Sequence, residues 1–327
     1  MSKVFNKILV TGGAGFIGSH LVTRLLKDGY EVTLIDDLSR GNIKFLDFLK
    51  EKPKFLKMDL SKEEGLLKVF EGHDLVFNLA ALNTGVDYDE GRTQLMFENN
   101  MLLQMIPLRV AAKTKSIKKF IQISSASVYS REVMNKVPCI KEESDTNNPE
   151  PSKLGYALAK KMGENLASWY ASNSKLETIS ARFINVFGEN DHYDQLGHFI
   201  PMMIRKIIEA EKKVEVFGSG NQSRSFVYVE DVADALLLLA KKGKNGEIYN
   251  VDANQEKTVK EVVSMIKKYL KKDLQVNFDL SKPEGSKRRM LDSSKLRSLG
   301  WKPKTSFALA LKKTIKDINE RIKSENS

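Results

Sequence analysis

"KILVTGGAGFIGSHL", residues 7–21, sets glycine at positions 12, 15 and 18 between a short apolar run and the first turns of an amphipathic pattern. Ile8–Val10 has the length and composition of a buried strand, and the apolar residues from Phe16 onward recur at helical spacing. A strand that passes through a glycine turn into a helix can use the missing Cβ atoms in three ways. It can turn tightly, let a phosphate group approach the backbone, and pack the helix close to the strand, while the unpaired N–H groups of the helix start favour an anion. The spacing is GxxGxxG rather than GxGxxG. The next apolar run, "YEVTLIDD", carries Asp36 eighteen residues after Gly18. A carboxylate there accepts hydrogen bonds from both ribose hydroxyls and repels a 2'-phosphate, so the pair of motifs predicts a dinucleotide site that prefers NAD to NADP. Arg40, close by, keeps NADP from being excluded.

Working outward, strand-like and helix-like stretches alternate. "KILVTG", "YEVTLID", "KFLKMDL", "HDLVFNLAA", "KKFIQISSAS" and "LETISARFINV" read as buried strands, separated by "IGSHLVTRLLKDG", "KEEGLLKVFEG", "TQLMFENNMLLQMIPLRVAAKT" and "LGYALAKKMGENLASWYASN" as helices. Short buried strands alternating with helices imply an α/β fold, a Rossmann-like doubly wound parallel sheet. Pro107 falls inside the third helix and predicts a kink or local irregularity. After Phe183 the loops lengthen and the helices become more isolated. Residues 1–183 are therefore assigned to the dinucleotide-binding domain and 184–327 to a smaller substrate-binding α/β lobe. Segment 226–252, a helix and an apolar strand, is expected to return to the first domain.

Composition narrows the classes. With 327 residues, 41% of them hydrophobic, the chain can bury a full core without metals or disulfides. The single cysteine, Cys139, forms no intrachain disulfide or zinc cluster and fits a reducing, cytoplasmic setting in which it is inert. No segment has the roughly 20 apolar residues a membrane span needs. The net charge of +11 raises the question of nucleic acid. Its lysines fall in short groups at predicted helix ends, where they suit the helix dipole, and no recognition helix or aromatic-interleaved basic patch accompanies them. Neither nucleic acid nor membrane is expected as a partner, and no metal site is expected.

Two further motifs carry a resemblance. "YALAK" puts Tyr156 and Lys160 at i, i+4, on one helical face, and "SSASVYS" supplies Ser125 four residues before Tyr129. With the glycine turn, Asp36 and "NLAA" in the same order, the chain resembles the extended short-chain dehydrogenase/reductases that act on nucleotide sugars. The resemblance implies that Tyr156 exchanges a proton with a sugar hydroxyl as hydride moves to or from nicotinamide, that Lys160 lowers the tyrosine pKa and holds the nicotinamide ribose, and that Ser125 bonds the reacting oxygen. A phenol that ordinarily ionises near pH 10 needs such a cation to act as a base at neutral pH. The resemblance places the cofactor against Gly12, Gly15, Phe16, Ile17 and Gly18, against Asp36, against Asp59 and Leu60 of "MDL", against Leu79, Ala80 and Ala81 of "NLAA", and at Asn100 of "ENNMLL". It assigns Asn185, Arg224 and Arg288 to the substrate's diphosphate, for which a guanidinium fork is well shaped. It also implies a homodimer formed through the helices that contain Tyr156 and Leu103.

The same resemblance sorts reactions. A 4,6-dehydratase of the family has Asp-Glu after its catalytic Ser/Thr, and decarboxylating members have a Glu in that stretch; this chain has Ala126-Ser127. Epimerisation at C4 needs only Ser125, Tyr156 and NAD, which makes it the expected reaction on a nucleotide-diphosphate hexose. The alternative is the 3,5-epimerase or 4-keto reductase chemistry of the GDP-mannose 3,5-epimerase and GDP-fucose synthase branch. That branch shares the long Ser125-to-Tyr156 insert, "GHFIP" and "KPEGSKRRMLD". His198 of "GHFIP" matches an acid/base histidine there, whereas Ser127 stands where that branch has a cysteine. His198 otherwise bonds the sugar or diphosphate or caps the following helix, and His192 is expected in an exposed loop. A non-catalytic cofactor sensor would be expected to lose Tyr156 or Lys160, and this chain keeps both.

Overall fold

The computed structural model describes residues 5–83, 91–134, 139–282 and 285–325. Parts of two quoted motifs, the Ser125-to-Tyr156 insert and "KPEGSKRRMLD", therefore lie outside the described residues. In chain order the first lobe runs β1 (Lys7–Thr11), α1 (Phe16–Lys27), β2 (Glu31–Asp36), β3 (Lys54–Lys57), α2 (Leu66–Phe70), β4 (Leu75–Asn78), α3 (Thr93–Lys113), β5 (Lys119–Ser125), α4 (Arg131–Met134), α5 (Leu154–Asn173) and β6 (Glu177–Phe183). The six strands expected from apolar runs are all present. With β10 (Ile248–Val251) they form a seven-stranded sheet, all parallel, in the order β10-β6-β5-β4-β1-β2-β3. The chain winds from β1 outward through β2 and β3, then crosses back over β1 to β4. That reversal opens a crevice at the carboxyl ends of β1 and β4, where such sheets take their ligands.

Both sheet faces are covered, which is why the strands read as continuous apolar runs. On one face Leu21, Val22 and Leu25 of α1 join Leu236 and Leu239 of α7 (Val229–Lys242) over Val10, Phe77 and Ile121. On the other, Ile106, Leu108 and Val110 of α3 and Ala167 of α5 cover Leu9, Val76 and Phe120. The helix α3 is continuous through Pro107, which cannot donate to the Leu103 carbonyl. Asn78 Nδ2 donates to that oxygen at 3.0 Å, so the expected irregularity is a side chain replacing a helix hydrogen bond. The helix expected at "KEEGLLKVFEG" shrinks to the five residues of α2, entered from Gly65 at φ 77°.

The second lobe holds β7 (Val186–Phe187), α6 (Phe199–Glu209), β8 (Lys213–Phe217), β9 (Ser223–Tyr228), β11 (Gln255–Thr258), α8 (Val259–Leu270), β12 (Gln275–Asp279), β13 (Arg288–Arg289) and α10 (Phe307–Glu325), while α9 (Ser294–Ser298) packs on β10 and sets Leu296 into the first core. Phe187, Phe226 and Phe307 lie 5.1–5.9 Å apart, ring to ring, at the centre of its core. β9 runs directly into α7, which returns to the first lobe, and the two cores meet at Ile17 and Val186. Among the described residues no helix is long and apolar enough to cross a membrane.

Candidate active site

A single cleft of about 930 Å³ follows the sheet's carboxyl edge and continues between the lobes. The glycines at its floor divide the work the spacing suggested. Gly12 adopts φ 63°, and a Cβ there would lie 2.8 Å from the Ala80 nitrogen, so this position makes the turn against the strand next door. A Cβ on Gly18 would fall onto the Gly12 carbonyl, so this one seats α1 on its own turn. Gly15 is the N-cap of α1, and a Cβ there would meet only the Gly12 oxygen, at 3.2 Å, leaving the amino-terminal N–H groups open to the cleft.

Asp36 ends β2 in the same cleft. Its Oδ2 accepts the Ala14 N–H at 3.0 Å and its Oδ1 the Leu38 N–H at 2.9 Å, leaving a lone pair on each oxygen. Burial pushes its carboxyl above the ordinary range, and those two N–H groups oppose the shift. Phe16, Ile17, Asp59, Leu60, Leu79, Ala80 and Ala81 also line the cleft. An anion-ready helix start beside a buried two-point acceptor fits a pyrophosphate followed by a ribose, so the residues present suit NAD. Asn100 is placed differently from expectation. It is fully buried behind the cleft wall, where its amide accepts from Leu82 N and donates to the Leu82 and Met96 carbonyls. It shapes the loop that follows β4 and does not line the cleft.

Ser125, Tyr156 and Lys160 come together as their order predicts. Ser125 ends β5 and its Oγ accepts the Ser127 N–H at 3.1 Å, while its hydroxyl lies 3.2 Å from the Ser127 hydroxyl. One turn of α5 stacks Tyr156 and Lys160, with the Lys160 ammonium 5.6 Å from the tyrosine ring centre. Lys160 is buried and donates to the Ile123 carbonyl at 2.9 Å. Burial pushes its pKa down to about 7, against the pull of Glu164 one turn further on. Glu164 is itself held by the Ser124 hydroxyl and by Nε and Nη2 of Arg182, at 2.5–2.8 Å, in a buried ion pair.

The far wall is built from the loop after β7. His198 is the N-cap residue of α6 but makes no capping bond; its imidazole turns into the cleft. His192 is half-buried in the cleft wall, not in an exposed loop, because the 188–198 loop folds back on itself, and burial holds its pKa low. Asn185 lines the cleft at φ 31°, its amide bonded to the Ser225 carbonyl. Arg224 reaches the cleft as well. Arg288 does not: it forms a two-point pair with Glu256 at 2.7 and 2.8 Å, and its neighbour Arg289 faces the cleft. Successive residues of a strand point to opposite faces, so "RR" could not reveal which one enters. Sequence reasoning also missed Lys153, whose ammonium lies on Tyr156 at 5.6 Å, and Asn83 and Asp191, which have no motif of their own.

Comparison with known proteins agrees with this layout. Residues 8–252 match the profile of the NAD dependent epimerase/dehydratase family. The chain is 31% identical to human dTDP-D-glucose 4,6-dehydratase over 328 residues, covering 96% of this chain and 90% of that one. It is 32% identical over 321 residues to a trifunctional UDP-glucose 4,6-dehydratase/UDP-4-keto-6-deoxy-D-glucose 3,5-epimerase/UDP-4-keto-L-rhamnose-reductase of Arabidopsis thaliana; that match takes in 94% of this chain but only 46% of the plant protein, about half its length. Among solved structures, the UDP-glucose 4-epimerase of Thermotoga maritima superposes with a TM-score of 0.85 at 29% identity, covering 97% of this chain and 99% of that one. The UDP-N-acetylglucosamine 4-epimerase of Methanobrevibacter ruminantium gives 0.86 at 30%, covering 98% and 100%. The glycine turn, the buried aspartate and the Tyr-Lys pair therefore sit in a chain that belongs to the NAD-dependent epimerase/dehydratase family.

Proposed function

We propose that the protein is a nucleotide-sugar epimerase that inverts C4 of a nucleotide-diphosphate hexose through a transient 4-keto sugar. The observation that carries this reading is the content of the cleft beside Ser125. Tyr156 and Lys160 are in place, while the next two positions are Ala126 and Ser127, which cannot supply the added acid and base that removing water demands. NAD, when bound, supplies a reversible hydride acceptor. The chain does the rest. Ser125, its hydroxyl already oriented by the Ser127 N–H, holds the C4 oxygen. Tyr156 takes the C4 hydroxyl proton and returns it after the ketone has turned over, with Lys160 beneath it to hold the nicotinamide ribose. Asn185, Arg224 and Arg289 hold the diphosphate, and the second lobe, 184–228 with most of 253–327, forms the nucleotide half of the site. The single cysteine and the small polar substrate fit a cytoplasmic enzyme.

One observation favours a second reading. His198 is hydrogen-bonded to a buried carboxylate and turned into the cleft, as an acid/base for C3 or C5 would be. Turnover in deuterated water separates the two. C4 inversion moves hydride within the site, so the product should carry no ring deuterium; epimerisation at C3 or C5 returns a solvent-exchanged proton to carbon and should label it. A panel of UDP-, dTDP- and GDP-hexoses, read by NMR, identifies the substrate in the same experiment. Ring deuterium overturns the C4 reading and promotes the second.

A further inference from the structure

A line of four polar side chains crosses the cleft from Lys153, the N-cap residue of α5, to the loop before α6. Lys153 Nζ lies 3.0 Å from Asn83 Oδ1, Asn83 Nδ2 lies 3.1 Å from His198 Nε2, and His198 Nδ1 lies 3.0 and 3.2 Å from the two oxygens of Asp191. The ends of the line decide where every proton sits. An ammonium only donates, so the Asn83 oxygen faces Lys153 and its NH2 faces the histidine. That NH2 must donate, so Nε2 presents a lone pair. A carboxylate only accepts, so the ring's one proton is on Nδ1, directed at Asp191. The Asp191 side chain is fully enclosed, and its Oδ1 also accepts the His192 N–H at 2.8 Å, while Arg321 Nη2 donates to its carbonyl at 2.7 Å.

We infer that Asp191 and Asn83 are positioning residues that hold His198 as a neutral imidazole with its lone pair on Nε2, so that this histidine accepts a hydrogen from a sugar hydroxyl or ring carbon and does not serve as a donor to the diphosphate. A phosphate oxygen set against that lone pair would place two acceptors face to face, whereas a hydroxyl replaces the Asn83 N–H with an equivalent donor. The two ends of the nucleotide sugar are thereby sorted: guanidinium groups suit the diphosphate, and the preset imidazole suits the hexose. Lys153 serves both sides of the cleft, orienting Asn83 while lying on Tyr156. This rests on the reading above that the cleft takes a nucleotide-diphosphate hexose whose C4 hydroxyl meets Tyr156, and on His198 lining that same cleft.

The chain has four histidines, so protein labelled with 15N-histidine and saturated with NAD gives a tractable imidazole spectrum, assigned by single His→Gln variants. At about pH 8, His198 should show a protonated Nδ1 and an unprotonated Nε2. In Asp191→Asn the new amide can donate to Nδ1, so part of the proton should move to Nε2, with kcat falling about tenfold or more and KM changing less than about threefold. Asn83→Ala should likewise loosen the tautomer preference. A wild-type spectrum with Nε2 protonated overturns the inference without any variant. So does an Asp191→Asn protein whose tautomer population matches wild type, whatever its activity. Failure of the C4 reading appears separately, as ring deuterium or inactivity toward every hexose of the panel, and neither outcome alters the spectrum of the NAD-loaded protein.

Discussion

Lys160, which the proposed function sets beneath Tyr156, shows what burying an ammonium demands of a fold. Its ordinary pKa of 10.5 falls to about 7 because burial penalises the ammonium more than Glu164 supports it. Between those two values the unfolded chain binds a proton that the folded chain has released, so stability rises with pH across that window, and the penalty is present in full below about pH 7. Lys160→Met should therefore abolish turnover yet stabilise the protein at pH 7, by about 1 kcal/mol or more after the lost bond to Ile123, with the gain closing toward pH 10. Thermal melts at the two pH values check the sign; a variant that is less stable at pH 7 and equally so at pH 10 contradicts it. Asp36, which lines the same cleft, is the residue proposed to meet the ribose of NAD. Removing an acceptor for two ribose hydroxyls should weaken NAD by about tenfold or more, while NADP, relieved of a repulsive neighbour, should lose little. Asp36→Ala should thus narrow the ratio of the two dissociation constants measured by fluorescence titration, and an unchanged ratio would show that another group sets the preference.

Elements position these residues through close crossings, and the crossing of α3 with α5 matters most. A Cβ on Gly155 would fall onto the Thr93 carbonyl and lie 3.0 Å from the Phe97 nitrogen, and one on Gly163 would lie 3.0 Å from Gln104 Oε1. Gly155→Ala must push α5 outward with Tyr156 on its next residue. It should cost about 1–3 kcal/mol in a denaturant titration and lower kcat as well; a variant with wild-type stability would show that the crossing is loose. The glycine turn, the six strands and the Tyr-Lys pair were legible in the sequence because each depends on local spacing. The short strands of the second lobe were not: β7 and β13 have two residues each, and β11 alternates nothing but half-buried positions. Nor was Asp191 legible, because its importance lies in a contact made when a loop folds back on α6, and no spacing rule encodes that. Arg289 in place of Arg288 is the same lesson at the scale of one strand register.

For the whole molecule, the outer face of that helix pair is unusual. Leu158, Met162 and Trp169 on α5 follow one another at i, i+4 and i+11, Leu95 and Leu102 on α3 at i and i+7, and all five are exposed, Trp169 at 57%. Each set forms one stripe along its helix, and the two helices, of which α5 carries Tyr156, pack against one another. A second copy related by a two-fold axis would present the same stripes and close a four-helix contact, burying all ten side chains without any partner of different chemistry. We therefore expect the purified protein to run at twice the mass of its 37.0 kDa chain in light scattering at micromolar concentration. Replacing Met162 and Trp169 together with glutamate sets like charges against one another across the axis and should yield a monomer that still binds NAD, since neither residue lines the cleft. Turnover should fall less than about tenfold, through loosening of α5 rather than loss of a reacting group. A wild-type monomer, or a double variant that remains dimeric, would move the interface elsewhere on the molecule.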